Sequence, residues 1–193
     1  MPVVDLPHGA VFYREKGAGD PLVMLMGTGA DHTSWARQTP ALARRFRVIT
    51  PDNRGSGRSL PPPPPAWRMA DFAAETLAFL DALGVDAFHL LGYSFGAALA
   101  MEVALAAGDR VRSASFHAGW AGPNPVTSAA LRRSLERLEE SGVEGFLDAA
   151  CRRNFSPAFR EERPAEFEAF LRNVKGSVTR PTAEGVRAQA LAG

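Results

Sequence analysis

The 193-residue chain has one cysteine, four histidines and almost no net charge, and each shortage closes off a class of function. Cys151 has no second cysteine to pair with, so an internal disulfide is excluded, which fits a reducing compartment. It ends the stretch Phe146-Leu147-Asp148-Ala149-Ala150-Cys151, where a small packed residue is expected rather than a reactive thiol. Four scattered histidines and one cysteine lack metal-ligand spacing, so no metal site is expected. The 22 basic and 21 acidic residues leave a formal charge of +1. Their signs are interspersed, without the basic stripe and interleaved aromatics of a nucleic-acid surface. No run approaches the roughly 18 apolar residues that cross a bilayer. Met1-Pro2-Val3-Val4-Asp5 shows no secretory pattern. Gly55-Ser56-Gly57 lacks the third glycine of a dinucleotide fingerprint, and no G-x-x-x-x-G-K loop occurs, so no cofactor is expected. These absences point to a cytoplasmic protein whose partner is a small molecule, neither nucleic acid nor membrane, with the oligomeric state left open.

What the chain does have is glycine where the backbone must turn. Gly92-Tyr93-Ser94-Phe95-Gly96 follows the apolar run Phe88-His89-Leu90-Leu91 and leads into Ala97-Ala98-Leu99-Ala100-Met101. A strand that turns directly into a helix holds its corner residue at strained φ/ψ, and glycines two positions to either side remove Cβ atoms that would collide. This G-x-S-x-G therefore predicts a nucleophile elbow with Ser94 Oγ standing above a sheet. Two further apolar runs end in the same manner. Pro21-Leu22-Val23-Met24-Leu25-Met26, nearly continuous as in a strand covered on both faces, ends in Gly27-Thr28-Gly29. Phe46-Arg47-Val48-Ile49-Thr50 ends in Pro51-Asp52-Asn53-Arg54-Gly55-Ser56-Gly57-Arg58-Ser59, a glycine-rich polar loop without helical period.

These three units, in this order and spacing, resemble the α/β-hydrolase superfamily. Its members carry H-G-x after the third strand, D-x-R-G-x-G-x-S after the fourth and G-x-S-x-G after the fifth. The matching segments are Met26-Gly27-Thr28, Asp52 to Ser59, and Gly92 to Gly96. Gly29-Ala30-Asp31-His32-Thr33-Ser34-Trp35, followed by Asp52-Asn53-Arg54-Gly55, looks like the branch of enol-lactone hydrolases and small-molecule esterases. The resemblance implies an α/β fold with a mostly parallel, doubly wound sheet. It also implies a serine hydrolase that cleaves a small ester, lactone or related carbonyl substrate through an acyl-enzyme. Serine rather than aspartate at the elbow argues against haloalkane dehalogenase and epoxide hydrolase chemistry, while peptidases and cofactor-free peroxidases of the fold stay open.

By that resemblance Ser94 is the nucleophile, and the backbone N–H groups of Thr28 and Phe95 form the oxyanion hole. Met26 stands where the family usually has His; the donor is the Thr28 backbone, so the hole survives, but a polar brace of the loop is gone. Gly27, Gly29, His32, Tyr93, His117 and Trp120 are the expected pocket residues, with Trp120 fitting ordinary core packing equally well. Asp52, Arg54, Ser56 and Ser59 are expected to tie their own turn together, as charged and hydroxyl turn residues do. His89, mid-strand, is expected to be a buried, hydrogen-bonded histidine. His117 would emerge at the carboxyl end of the strand beside Ser94, yet the family's base comes from a different loop.

One domain suits this length, with residues 1–121 as the core and 122–193 as a helical cap. Val11-Phe12-Tyr13-Arg14 and the run at Pro21 suggest an opening antiparallel pair turning at Gly17-Ala18-Gly19-Asp20. Trp35 to Arg45 has helical spacing, and Pro61 to Pro65 suits an extended polyproline connector. Asp71 opens a helix carrying Phe72, Leu77, Phe79, Leu80 and Leu83, ended by Gly84. Val111 to His117 is the sixth strand. After Pro123-Asn124-Pro125 the period is helical throughout, punctuated by Pro157, Pro164 and Pro181. In the family a triad runs Ser, then acid, then His, and no histidine occurs after His117. The acid and base are thus absent from the chain, which is expected to be an amino-terminal fragment, truncated after the sixth strand, whose own triad is incomplete. The competing expectation is a non-catalytic, hydrolase-like binding protein.

Overall fold

Strands that must be apolar on both faces belong in the middle of a sheet, and the chain places them there. The computed structural model describes residues 2–64, 67–122, 125–176 and 181–192. Six strands form one sheet: β1 (Val3–Leu6), β2 (Gly9–Lys16), β3 (Asp20–Leu25), β4 (Phe46–Pro51), β5 (Phe88–Tyr93) and β6 (Val111–His117), in the order β1-β2-β4-β3-β5-β6. β3 pairs in parallel with β4 on one side and β5 on the other, and β5 in parallel with β6. Val23 and Leu25 face one apolar cluster with Ile49, Leu90, Phe79, Leu99 and Val103. Leu22 and Met24 face a second cluster on the opposite side, with Trp35 and Val48. The continuous apolar run of β3 is the signature of that double covering.

Helices α1 (Thr39–Leu42), α2 (Met69–Ala82) and α3 (Phe95–Ala106) supply the two layers. Leu42 packs with the Trp35 cluster, while Phe72, Phe79, Leu99 and Val103 from α2 and α3 fill the other. Asp71 sits in the first turn of α2, where its Oδ2 accepts from Arg68 N at 2.7 Å, and the chain leaves the helix through Gly84 at φ 63°. A residue with positive φ there favours glycine.

The opening strands differ from expectation. β2 pairs antiparallel with β1 and with β4, not with β3. β2 turns polar at Arg14-Glu15-Lys16, which are exposed, whereas Leu22 to Leu25 are buried. Only β3 suits the double-sided centre, so the turn at Gly17–Gly19 carries the chain across β4 rather than closing a hairpin. The Trp35–Arg45 segment resolves into a short 3-10 turn (His32–Trp35) and the single turn of α1. Pro61 to Pro64 are irregular, while Pro65 and the Pro123-Asn124 break lie outside the described residues.

Beyond β6 all described elements are helical: α4 (Pro125–Asn154), α5 (Pro157–Glu162), α6 (Pro164–Lys175) and α7 (Ala183–Leu191). α4 is two helical halves bent at Gly142, whose φ of 63° and ψ of −167° are not helical. Pro157 and Pro164 open α5 and α6, the position where a missing N–H costs nothing. Thr182 caps α7 by accepting from Gly185 N at 2.9 Å. Leu138, Phe146, Leu147 and Val186 form one cluster of this layer, and Cys151, Phe167 and Leu171 another. α7 then returns to the core: Met69 N, at the start of α2, donates to Ala192 O at 3.1 Å. β6 has β5 as its one strand neighbour, and its residues from Arg112 to His117 are exposed.

Candidate active site

Ser94 occupies the corner between β5 and α3 at φ 56° and ψ −121°, a region that non-glycine residues adopt only under strain. The corner closes because of its glycines. A Cβ on Gly92 would lie 2.6 Å from Ala97 Cα, and one on Gly96 would lie 2.7 Å from Met26 O. Any larger residue would push β5 away from α3, or α3 away from the end of β3. The corner is also held from the side, since Ser94 N donates to His117 O at 2.9 Å. Ser94 is half-buried, and among the described residues its Oγ has no hydrogen-bond partner.

The segment Gly27-Thr28-Gly29 lies against this corner. A Cβ on Gly27 would sit 3.1 Å from Ser94 Cβ and 3.6 Å from Ser94 Oγ. Among the described residues neither Thr28 N nor Phe95 N makes a hydrogen bond, so two amide donors stand unused in the two segments that meet at Ser94. Unpaired backbone donors are rare in folded proteins, and a pair beside a free hydroxyl can receive an anionic oxygen.

The neighbouring segments are braced. Met26 O accepts from Asn53 Nδ2 at 2.7 Å, and Ala30 N donates to Gly27 O at 3.1 Å. Asp52 accepts from His32 N and Arg58 N at 2.8 and 2.9 Å, and its Oδ1 lies 2.8 Å from His32 Nδ1. Arg54, fully buried, donates to both oxygens of Glu75 and to the carbonyls of Gly9 and Ala10. Ser59 Oγ accepts from Phe12 N at 3.0 Å. These contacts make the Asp52–Ser59 loop a structural support, but mostly by tying distant segments rather than its own turn as expected, with Arg58 N to Asp52 the local exception.

The other sequence candidates separate. Tyr93 is half-buried, and its hydroxyl reaches Asn154 Oδ1 at the end of α4, 3.4 Å away. Trp120 packs, half-buried, on the main core cluster. His117 is exposed and its Nε2 pairs with Ser115 Oγ at 2.9 Å, not with Ser94. His32 is engaged by Asp52, and His8 stacks edge-on with Trp67 at 5.2 Å. His89 corrects expectation: its side chain is 22% exposed, because β5 borders the open strand β6, and Nδ1 bonds Ser113 Oγ at 2.8 Å. No metal-binding group of three or more His, Cys, Asp or Glu gathers among the described residues. No described helix is long and apolar enough to cross a membrane.

One residue escaped the sequence reading altogether. Gln189, in α7, is 1% exposed and bonds Gly29 N, Arg54 O and Ser56 Oγ. Beside it, Gly185 touches Gly55 backbone to backbone, and a Cβ on Gly29 would lie 3.1 to 3.3 Å from Phe146, Val186 and Pro181. Helix α7 is therefore seated on both loops beneath the site. Its glutamine reads as one more polar residue in a helical period, and the partners lie 133 to 160 residues away.

A strained serine at a strand-to-helix corner, on a six-stranded mostly parallel sheet, is the arrangement of one large class of folds, and the family match agrees. The alpha/beta hydrolase fold model covers residues 20–152, and the chain belongs to that family. It is similar to the protein named Putative carbamate hydrolase RutD of Caulobacter vibrioides, 33% identical over 133 residues, which are 68% of this chain and 49% of that protein. Among solved structures it is similar to a thermophilic esterase from Thermogutta terrifontis, with TM-score 0.83 and 26% identity over 100% of this chain and 72% of that one. The enol-lactonase from Burkholderia xenovorans LB400 shares the fold, with TM-score 0.84, 23% identity, and 99% and 72% of the two chains covered. The chain thus spans about half the length of the curated relative and nearly three quarters of these structures.

Proposed function

We propose that this chain carries the nucleophile and oxyanion hole of a serine hydrolase acting on a small ester, lactone or related carbonyl substrate. The observation that carries the reading is Ser94: on a strained corner, with a hydroxyl that has no hydrogen-bond partner among the described residues and two amide donors, Thr28 N and Phe95 N, that likewise have none there. Ser94 Oγ adds to the substrate carbonyl carbon and its proton passes to a base. The carbonyl oxygen becomes an oxyanion between Thr28 N–H and Phe95 N–H. Collapse expels the protonated leaving group and leaves an acyl-enzyme, which water then hydrolyses. Each preorganised donor is worth roughly 3 to 4 kcal/mol in the transition state. Of the expected pocket residues, Gly27 and Tyr93 adjoin Ser94, whereas Gly29 is covered by Phe146, Val186 and Pro181, His32 is held by Asp52, His117 by Ser115, and Trp120 packs on the main core. The names of the similar proteins, carbamate hydrolase, esterase and enol-lactonase, share an acyl carbon bearing an O or N leaving group, which supports this substrate class.

The base is the open part of this reading. Each of the four histidines is engaged away from Ser94: His32 by Asp52, His89 by Ser113, His117 by Ser115, and His8 against Trp67. None of their side chains is hydrogen-bonded to Ser94. The same observation favours the second reading, a hydrolase-like protein that binds without turnover. A fluorophosphonate probe on the protein as encoded in its open reading frame separates the two. The expected result is a phosphonylated Ser94 and hydrolysis of p-nitrophenyl esters, lowered at least about 10³-fold by Ser94→Ala. Hydrolysis at the parental rate in Ser94→Ala, or an unlabelled Ser94, overturns the nucleophile assignment.

A further inference from the structure

We propose that Gln189 is a positioning residue for the oxyanion loop, an inference that rests on the acyl-transfer reading above. Its carboxamide is 1% exposed and spends every donor it has: Nε2 donates to Arg54 O at 2.8 Å and to Ser56 Oγ at 3.0 Å. Oε1 accepts from Gly29 N at 2.9 Å. Only this orientation of the amide is chemically consistent, because the reverse would set two donors against each other at Gly29 and two acceptors at Arg54 O.

The position of this clamp in the chain gives it a catalytic meaning. Gly29 directly follows Thr28, whose N–H is one of the two assigned oxyanion donors. On the other side of that donor, Asn53 Nδ2 holds Met26 O at 2.7 Å. The Gly27–Thr28 peptide is thus held from both flanks, and both holds lead to the Asp52–Ser59 loop: Asn53 belongs to it, and Gln189 is bonded to its Arg54 and Ser56. That loop is in turn fixed by the buried Arg54–Glu75 pair and by Asp52. A helix of the cap segment therefore completes the frame that aims the Thr28 amide. Val186 packs on Gly29 beside it, so α7 is seated by apolar contact as well as by these bonds.

An oxyanion donor acts through its geometry at the transition state, so loosening its frame lowers turnover more than substrate binding. The test uses the protein as encoded, with Gln189→Leu and Gln189→Met, each of which removes all three bonds, Met keeping nearly the length and volume of Gln. For Gln189→Leu the expected outcome is a fall on the order of 10- to 100-fold in kcat for a p-nitrophenyl ester, with KM within about two-fold. The second-order rate of fluorophosphonate labelling at Ser94 falls by a similar factor, since phosphonylation also passes through an oxyanion. Gln189→Met shows a similar loss in both, because it fills the space without making the bonds. Where Gln189→Leu fails to fold, as judged by its urea transition, Gln189→Met decides by the same criteria. A folded variant with parental kcat and labelling rate, or one whose whole loss lies in KM, overturns the inference while leaving Ser94 labelled in the parent. A parental protein unlabelled at Ser94 instead overturns the acyl-transfer reading, and this inference with it.

Discussion

Replacing Gly185 by alanine should destabilise the protein by about 2 to 4 kcal/mol, although alanine ordinarily favours a helix over glycine by up to ~1 kcal/mol. Gly185 lies in the first turn of α7, where its backbone touches that of Gly55. A Cβ there would overlap Gly55 O and come within 2.7 Å of the Gly55 carbonyl carbon and Cα. Backbone cannot rotate out of the way as a side chain can, so α7 must withdraw by the better part of an ångström. Overpacking of this kind costs roughly 1 to 3 kcal/mol. The retreat also stretches the Gln189 bonds one turn along, and a buried polar group left unpaired costs roughly 1 to 3 kcal/mol. These losses exceed the propensity gain. Urea denaturation followed by far-ultraviolet circular dichroism, parent against Gly185→Ala, gives the difference from the shift in midpoint at unchanged slope. Gly108→Ala, where a Cβ meets nothing within 4 Å, serves as the reference substitution. A Gly185→Ala protein as stable as the parent, or more so, would refute the seating of α7 on the Gly55 loop.

Two further expectations concern the helical segment. Hydrogen bonds from Arg152 and Lys175 hold the Asp148 carboxyl below the usual carboxylate range. A depressed folded pKa adds stability above the unfolded value near 4, lost as pH falls through the folded one. Asp148→Asn should therefore be less stable than the parent at pH 7, with the gap narrowing as the pH falls below about 4, measured by urea midpoints; an unchanged gap at low pH would contradict the assignment. Burial raises the Cys151 thiol pKa, with the Asp148 charge adding to it. The native protein at pH 8 should accordingly react with a thiol reagent far more slowly than the urea-unfolded chain, and equal rates would place the thiol outside the packed cluster.

The parts of the fold that were legible in the sequence are those decided by local sterics and periodicity. Gly92, Ser94 and Gly96 announce the elbow because each constraint lies within five residues, and the continuous run of β3 announces a doubly covered strand. The first strand pairing was misread for the opposite reason. Gly17-Ala18-Gly19-Asp20 suits a hairpin locally, but the polar end of β2 and the apolar length of β3 compete for the sheet centre, and only the whole sheet settles that contest. β1, four residues long and half exposed, offers too little pattern to register. At the site, Ser94 and the glycine loops were readable as motifs, but Asp52 and Arg54, expected to tie their own turn, brace distant segments instead, Arg54 reaching Gly9, Ala10 and Glu75 and Asp52 reaching His32. Gln189 was invisible because nothing local distinguishes a glutamine that faces water from one that bonds Gly29 across 160 residues.

The anchoring of α7 also bears on how such a protein can change over generations. The helical excursion leaves the core just after His117, whose carbonyl holds the Ser94 amide, and comes back through Gly185 and Gln189, which hold the loops on the other side of the same serine. Departure and return are thus both fastened beside Ser94. The helices between Pro125 and Lys175 are fixed to one another mainly by their own two apolar clusters. They form a unit that packs on itself, so changes within it are separated from the corner that carries Ser94 by the two fastenings at its ends.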